Sequence, residues 1–97
     1  MSEIFSVEII SPEKSIIQTN TFEVVIPSYE GEMGILKGHI PLITFLRPGF
    51  IRIKSEKDKE FFVEDGTVEF ANDNLLILTS TAKDLSEMKK SLIESII

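Results

Sequence analysis

Glu30-Gly31-Glu32-Met33-Gly34-Ile35-Leu36-Lys37-Gly38-His39-Ile40-Pro41-Leu42-Ile43-Thr44-Phe45-Leu46-Arg47-Pro48-Gly49 decides how this chain is read. It holds four of the five glycines and two of the four prolines. It contains the only histidine, His39, and follows directly on the only tyrosine, Tyr29. Met33 to Leu36 predicts a very short strand. Leu42 to Leu46, apolar but for one threonine, predicts a buried strand. Pro48-Gly49 is a turn dipeptide. A strand, a multiply turned loop and a second strand, closed by a turn, argue for a β fold.

The flanks carry the same pattern outward. Phe5, Val7 and Ile9 alternate with Ser6 and Glu8 over residues 4–10, as in a half-buried strand. Pro12 ends it, since proline has no N–H for a ladder. Ser15 to Thr19 predicts a second strand, Asn20 a turn, and Thr21 to Ile26 a third strand stopped by Pro27. Downstream, Phe50 to Lys54 and Lys59 to Glu64 predict a hairpin with a charged tip at Ser55-Glu56-Lys57-Asp58. Asp65-Gly66 is a tight turn signal. Thr67 to Ala71 and Leu75 to Ser80 follow, the last so apolar that it predicts burial on both faces. Short strands at regular spacing indicate an antiparallel sandwich or barrel.

The period then changes. Leu85, Met88, Leu92 and Ile96 recur at three- and four-residue steps, which places them on one face of a helix of about 13 residues, widened by Ile93 and Ile97. Asp84 is its N-cap, and Glu87 stands where a capping-box acid belongs. So short a helix is marginal in water, so it is expected to pack on the sandwich or on a partner. The expected organisation is a β-sandwich over residues 1–82 and a helix over 83–97, within one structural domain.

Composition narrows the function. The chain has 97 residues, 42% apolar and 27% charged, enough for one globule. A formal net charge of −6 disfavours nucleic acid, which is gripped by clustered Lys and Arg. The basic cluster Arg47, Arg52, Lys54, Lys57 and Lys59 is interrupted by Glu56 and Asp58 and reads as a solvated hairpin face. No cysteine is present, which removes disulfides, thiolate zinc sites and cysteine nucleophiles. No apolar run approaches the ~20 residues of a membrane span. Met1-Ser2-Glu3-Ile4-Phe5 lacks a basic n-region and an apolar h-region, so no signal peptide and no direct membrane insertion are expected.

A search for chemistry finds no constellation. His39 has no second histidine, cysteine or acid at ligand spacing, so it reads as a structural or interface residue rather than a base or metal ligand. Gly31, Gly34 and Gly38 lack the order of a phosphate loop. Lys37 precedes Gly38, His39 follows it, and Pro41 forbids a helix just beyond. Glu30 and Glu32 stand two apart around a glycine and read as exposed acids at a loop tip, with a charged recognition edge as their functional reading. Tyr29 is either an interface anchor or ordinary packing. The physical reading is a small acidic β domain, a binding or structural module rather than an enzyme.

Glu30, Gly31, Gly34, Ile35, Gly38, His39, Pro41, Leu42, Leu46, Pro48 and Gly49 fall in the order and spacing of a known signature. The stretch resembles that of the epsilon subunit of the rotary F-type ATP synthase, the delta subunit in mitochondria. It departs at Lys37, where that family usually has proline. Phe5 to Glu13, Gly66 to Phe70 and Asn74 to Ala82 are similar to the family's first strand and turn, a later strand and the last strand, so residues 4–82 are covered in register. The resemblance implies a two-sheet antiparallel sandwich of about ten short strands followed by helices. One C-terminal helix is visible here, so a short form lacking the second helix is expected. At the nucleotide-associated pattern Asp-x-x-Arg-Ala this chain has Ser86, Lys89 and Lys90, so nucleotide binding is not expected.

The resemblance further implies a non-catalytic central-stalk subunit of a proton-translocating F-type ATP synthase. It would need no cofactor or metal and would rotate with a gamma subunit and join it to the membrane c ring. Tyr29, Glu30, Gly31, Glu32 and Met33 would face the c ring. Ser11 with Gly38, His39, Ile40, Pro41 and Leu42 would face gamma. Its place would be the cytoplasmic face of a bacterial inner membrane, or the equivalent organelle compartment, as a peripheral subunit. The alternatives are a free-standing β-sandwich adaptor and a small hydrolase built on His39 with Glu30 or Glu32.

Overall fold

The computed structural model describes residues 3–96, apart from the side chain of Ile96. The readings that rest on Met1, Ser2, the Ile96 side chain and Ile97 lie outside the described residues. The strands are β1 (Phe5–Ile10), β2 (Ser15–Thr21), β3 (Glu23–Ser28), β4 (Gly31–Leu36), β5 (Leu42–Leu46), β6 (Gly49–Lys54), β7 (Lys59–Val63), β8 (Gly66–Ala71), β9 (Asn74–Leu78) and β10 (Ala82–Asp84), followed by α1 (Leu85–Ile96).

The hydrogen-bonded path runs β10-β7-β6-β3-β5-β8-β9-β1-β2, with β4 on the free side of β3. It doubles back where β3 meets β5 through the single pair Ser28↔Leu46. One layer is therefore β4-β3-β6-β7-β10 and the other β5-β8-β9-β1-β2. Alternate residues of both layers point inward: Val24, Ile26, Ile35, Ile51, Ile53, Phe61 and Val63 from the first, Phe5, Val7, Ile9, Leu46, Val68, Phe70, Leu75 and Ile77 from the second. The period-two pattern of the sequence is thus the section of one shared core, and the molecule is a β-sandwich with one C-terminal helix.

The structure corrects several local expectations. Asn20 is not a turn but pairs with Ser6 inside β2. Pro27 does not stop β3, which continues through it to Ser28. Pro27 pairs with Glu32 on β4, and its carbonyl accepts from the Arg47 N–H at 2.9 Å. A strand proline is tolerated where the ladder asks it for an acceptor rather than a donor. β1 and β9 are parallel, the one such pair among the described strands. The boundary expected between residues 82 and 83 falls inside β10, a short strand that pairs with β7.

The most consequential correction concerns β5. Its apolar run predicts burial throughout, yet only Thr44 and Leu46 are buried, while Ile43 and Phe45 are 74% and 59% exposed. β9 differs in the same way: burial on both faces is expected, but Leu78 is 46% exposed. A continuous apolar run carries no information on which alternate residues face the core. Gly66 is required at the head of β8: its φ is +154°, and a Cβ there would meet the Leu78 carbonyl oxygen at 2.6 Å.

At the C-terminus, α1 packs on β7 and β10. Asp84 caps it as expected, accepting the Ser86 N–H at 2.9 Å and the Ser86 hydroxyl at 2.7 Å. Leu85 and Met88 are half-buried, whereas Leu92 and Ile93 are exposed. The Ser86 hydroxyl, the Ser86 and Glu87 amides and the Lys59 ammonium hold the Asp84 carboxyl below the ordinary aspartate range, against partial desolvation. A depressed folded-state pKa means that this contribution is complete above the unfolded aspartate pKa of about 4 and is lost as pH falls through the lower folded value. Asp84→Ala is expected to cost about 1 kcal/mol in urea denaturation at neutral pH. The gap between the two proteins should close below about pH 4, which parallel titrations followed by circular dichroism would show.

Candidate functional site

Two regions carry the residues singled out from the sequence, and they lie at opposite ends of the strands. At one end, Ser28 organises the β3–β4 turn. Its hydroxyl donates to the Gly31 carbonyl at 2.7 Å and accepts the Glu30 N–H at 3.3 Å. Tyr29 and Glu30 form the exposed tip, Tyr29 at 72% exposure. Gly31 takes a φ of +116°, which lets the chain reverse. Glu32 is not part of the tip: it lies on β4, 3.4 Å from the Arg52 guanidinium. The expected pair of free acids is therefore one free acid and one ion-paired acid. Met33 is half-buried against the core.

At the other end, the β4–β5 connection is pinned to the β8–β9 hairpin. The Gly38 N–H donates to the Asp73 carboxylate at 2.9 Å, and Gly38 adopts a φ of +83°. The His39 N–H donates to the Leu36 carbonyl at 3.1 Å, and ring Nδ1 lies 2.7 Å from the Ile40 carbonyl, which it meets as a donor. The imidazole rests edge-on against Phe70, with centroids 5.9 Å apart. His39 thus closes its own loop by hydrogen bonds. Among the described residues no group of three or more His, Cys, Asp or Glu is placed to hold a metal ion. Ile40 beside it is 74% exposed.

Ser11 does not sit with the loop 38–42. It lies at the Tyr29 end, where its buried hydroxyl bonds the Lys14 carbonyl at 3.2 Å. What links the two ends is the outer face of the second layer, which sequence reasoning missed. Across it, Phe45 pairs with Thr67 and Thr67 with Leu78, then Leu78 with Ile10. In the next row, Ile43 pairs with Glu69, Glu69 with Leu76 and Leu76 with Glu8. Ile40 extends this face at the His39 end. Pro12, Tyr29, Phe45 and Leu78 line a solvent-open groove of about 810 Å³ at the Ser11 end. The only sequence signal for this face is a pair of apolar runs too continuous for strands that each bury one side.

An exposed face with so many large apolar side chains is the signature of an interaction surface. The outer face of the first layer differs in carrying two ion pairs, Glu32 with Arg52 and Glu23 with Lys54 at 3.6 Å. The polar groups at the groove end of the apolar face are engaged with one another, the Ser80 hydroxyl donating to the Asp65 carboxylate at 2.8 Å. The chemistry of this face is association.

Comparison with known proteins bears on what associates. Residues 4–84 match the family described as ATP synthase, Delta/Epsilon chain, beta-sandwich domain. The ATP synthase epsilon chain of Pelagibacter ubique is 48% identical over 99 residues, spanning all of this chain and 76% of that protein. The epsilon chain of Polynucleobacter necessarius is 44% identical over 88 residues, spanning 86% of this chain and 64% of that one. Among solved structures, a chain of the Euglena gracilis mitochondrial ATP synthase OSCP/F1/c-ring assembly superposes with a TM-score of 0.76 at 25% identity, covering 91% of this chain and 61% of its own. A chain of the Tetrahymena thermophila central stalk/c-ring assembly shares the fold, with a TM-score of 0.75 at 18% identity.

Asp73 is the residue that fixes the His39 loop to the sheet. Asp73→Gly keeps the positive φ of 57° tolerable and keeps the carbonyl that accepts the Ser6 N–H, but removes the carboxylate. The variant is expected to stay folded while amide exchange at Gly38 accelerates by about tenfold, the scale of one lost charge-assisted hydrogen bond. Residue-resolved hydrogen exchange measures it.

Proposed function

The chain belongs to the ATP synthase delta/epsilon family, and from that membership we propose that it is a non-catalytic central-stalk subunit, joining a gamma subunit to the membrane c ring. The observation that carries this reading is the division of the surface. One broad apolar face, one acidic tip and one face carrying two ion pairs suit a body held between two neighbours. The role asks for stiffness, and a closed-packed core between two hydrogen-bonded layers resists deformation under torque.

The outer face of β5-β8-β9-β1 is the surface for gamma. Ile40, Pro41 and Leu42 with His39 and Gly38 bound it at one end, and Ser11 with Pro12 at the other. Ile43, Phe45 and Leu78 lie between. Full burial of each such side chain contributes roughly 1.5–3 kcal/mol, which offsets part of the cost of association. The Tyr29–Met33 edge is the surface for the ring, where Glu30 offers uncompensated charge to a cationic surface. The ten-stranded sandwich and α1 move as one body. Attachment to the membrane then runs through these neighbours, at the cytoplasmic face of a bacterial inner membrane or the organelle equivalent. Among the described residues no helix is long and apolar enough to cross it.

Co-expression with a gamma subunit tests the assignment. The expected outcome is a stoichiometric complex; a chain that purifies alone under those conditions contradicts it. On the ring side, Glu30→Lys is expected to leave the urea midpoint unchanged and to weaken association with the ring by roughly five- to tenfold, the scale of reversing a rim charge. ATP-driven proton pumping in reconstituted vesicles should fall accordingly, while ATP hydrolysis continues. Unchanged pumping would remove Glu30 from that interface.

A further inference from the structure

Glu69 stands in the middle of the apolar face, separated by Leu76 from Glu8, whose carboxylate accepts the Ser15 hydroxyl at 2.9 Å. Glu69 is exposed on β8, with Ile43 directly across on β5 and Leu76 directly across on β9. Thr67, two residues before it on the same face, lies between Phe45 and Leu78. Directly opposed side chains on neighbouring strands lie about 5 Å apart, so the carboxylate is flanked on both sides by the apolar Ile43 and Leu76. Among the described residues three ion pairs form, and Glu69 belongs to none of them. In the free protein water solvates it. Once the face is covered, that water is lost.

An ionised carboxylate buried without a partner is strongly unfavourable, and one buried against a hydrogen-bonded cation is not. The face therefore selects its occupant. We infer that Glu69 is the specificity determinant of this surface, and that the partner presents an arginine or lysine at the centre of its own apolar patch. A second copy of this chain is a poor occupant. A two-fold contact would set Glu69 near Glu69 between two bodies of net charge −6. Arginine is the better match, since its planar fork meets a carboxylate through two parallel hydrogen bonds and is readily desolvated. The inference rests on reading this face as the docking surface for gamma.

The test measures affinity for a purified gamma subunit by titration calorimetry, with wild type, Glu69→Gln, Glu69→Leu and Phe45→Ala. Urea midpoints of the free proteins are expected to agree closely for the two Glu69 variants, because the side chain is exposed and unpaired. Both are expected to bind about thirtyfold more weakly or worse, the scale of truncating one member of a buried charge pair. Phe45→Ala should weaken binding as well. Wild-type binding with Glu69→Leu equal to or tighter than wild type would overturn the inference and leave the gamma assignment standing. No binding by wild type would overturn both. Dimerisation of the free chain through this face, lost in Phe45→Ala, would also overturn the inference.

Discussion

The backbone pair between Ser28 and Leu46 is the point where hydrogen bonding passes from one layer to the other. Everything in the middle of the chain is arranged around that corner. Pro27 accepts the Arg47 N–H beside it, and Gly49 follows so closely that a Cβ there would lie 2.7 Å from the Pro27 Cβ. On the other side of the same corner, the Ser28 hydroxyl shapes the Tyr29–Glu30 tip. Two layers joined at one corner enclose a single core, and the strand order that follows turns the second layer's far side outward. The acidic tip and the apolar face are thus products of the same geometric constraint.

Strand alternation makes most of this architecture legible without coordinates. Phe5, Val7 and Ile9, or Ile51 and Ile53, announce their inward face because polar residues separate them. The reading fails where that contrast disappears. In Leu42-Ile43-Thr44-Phe45-Leu46 the threonine is buried beside Leu46, while two large apolar residues, Ile43 and Phe45, face water. Periodicity reads only the contrast between apolar and polar positions, and where both faces carry large apolar residues that contrast is absent. Ala82-Lys83-Asp84 fails for another reason: three residues with one small apolar member carry no periodicity, and β10 exists because β7 has a free edge for it to pair with.

The residues with the most conspicuous chemistry turned out to serve the backbone. His39 spends its N–H and ring nitrogen on the carbonyls of its own loop, and Ser11 spends its hydroxyl on the turn it begins. Glu32, in appearance a free acid, is engaged by Arg52. In the central stretch Gly31, Gly38 and His39 maintain the shape of the turns, while the exposed side chains Ile40, Ile43 and Phe45 make the surface.

The account stands on the second layer's outer face being the one that a gamma subunit covers. Hydrogen–deuterium exchange on the chain alone and in complex with gamma tests it most directly. Protection is predicted across the loop at Gly38–Leu42 and across β5, β8 and β9, with β6 and β7 unchanged. Protection confined to β4, β3, β6 and β7, with β5 and β9 exchanging as in the free chain, would contradict it.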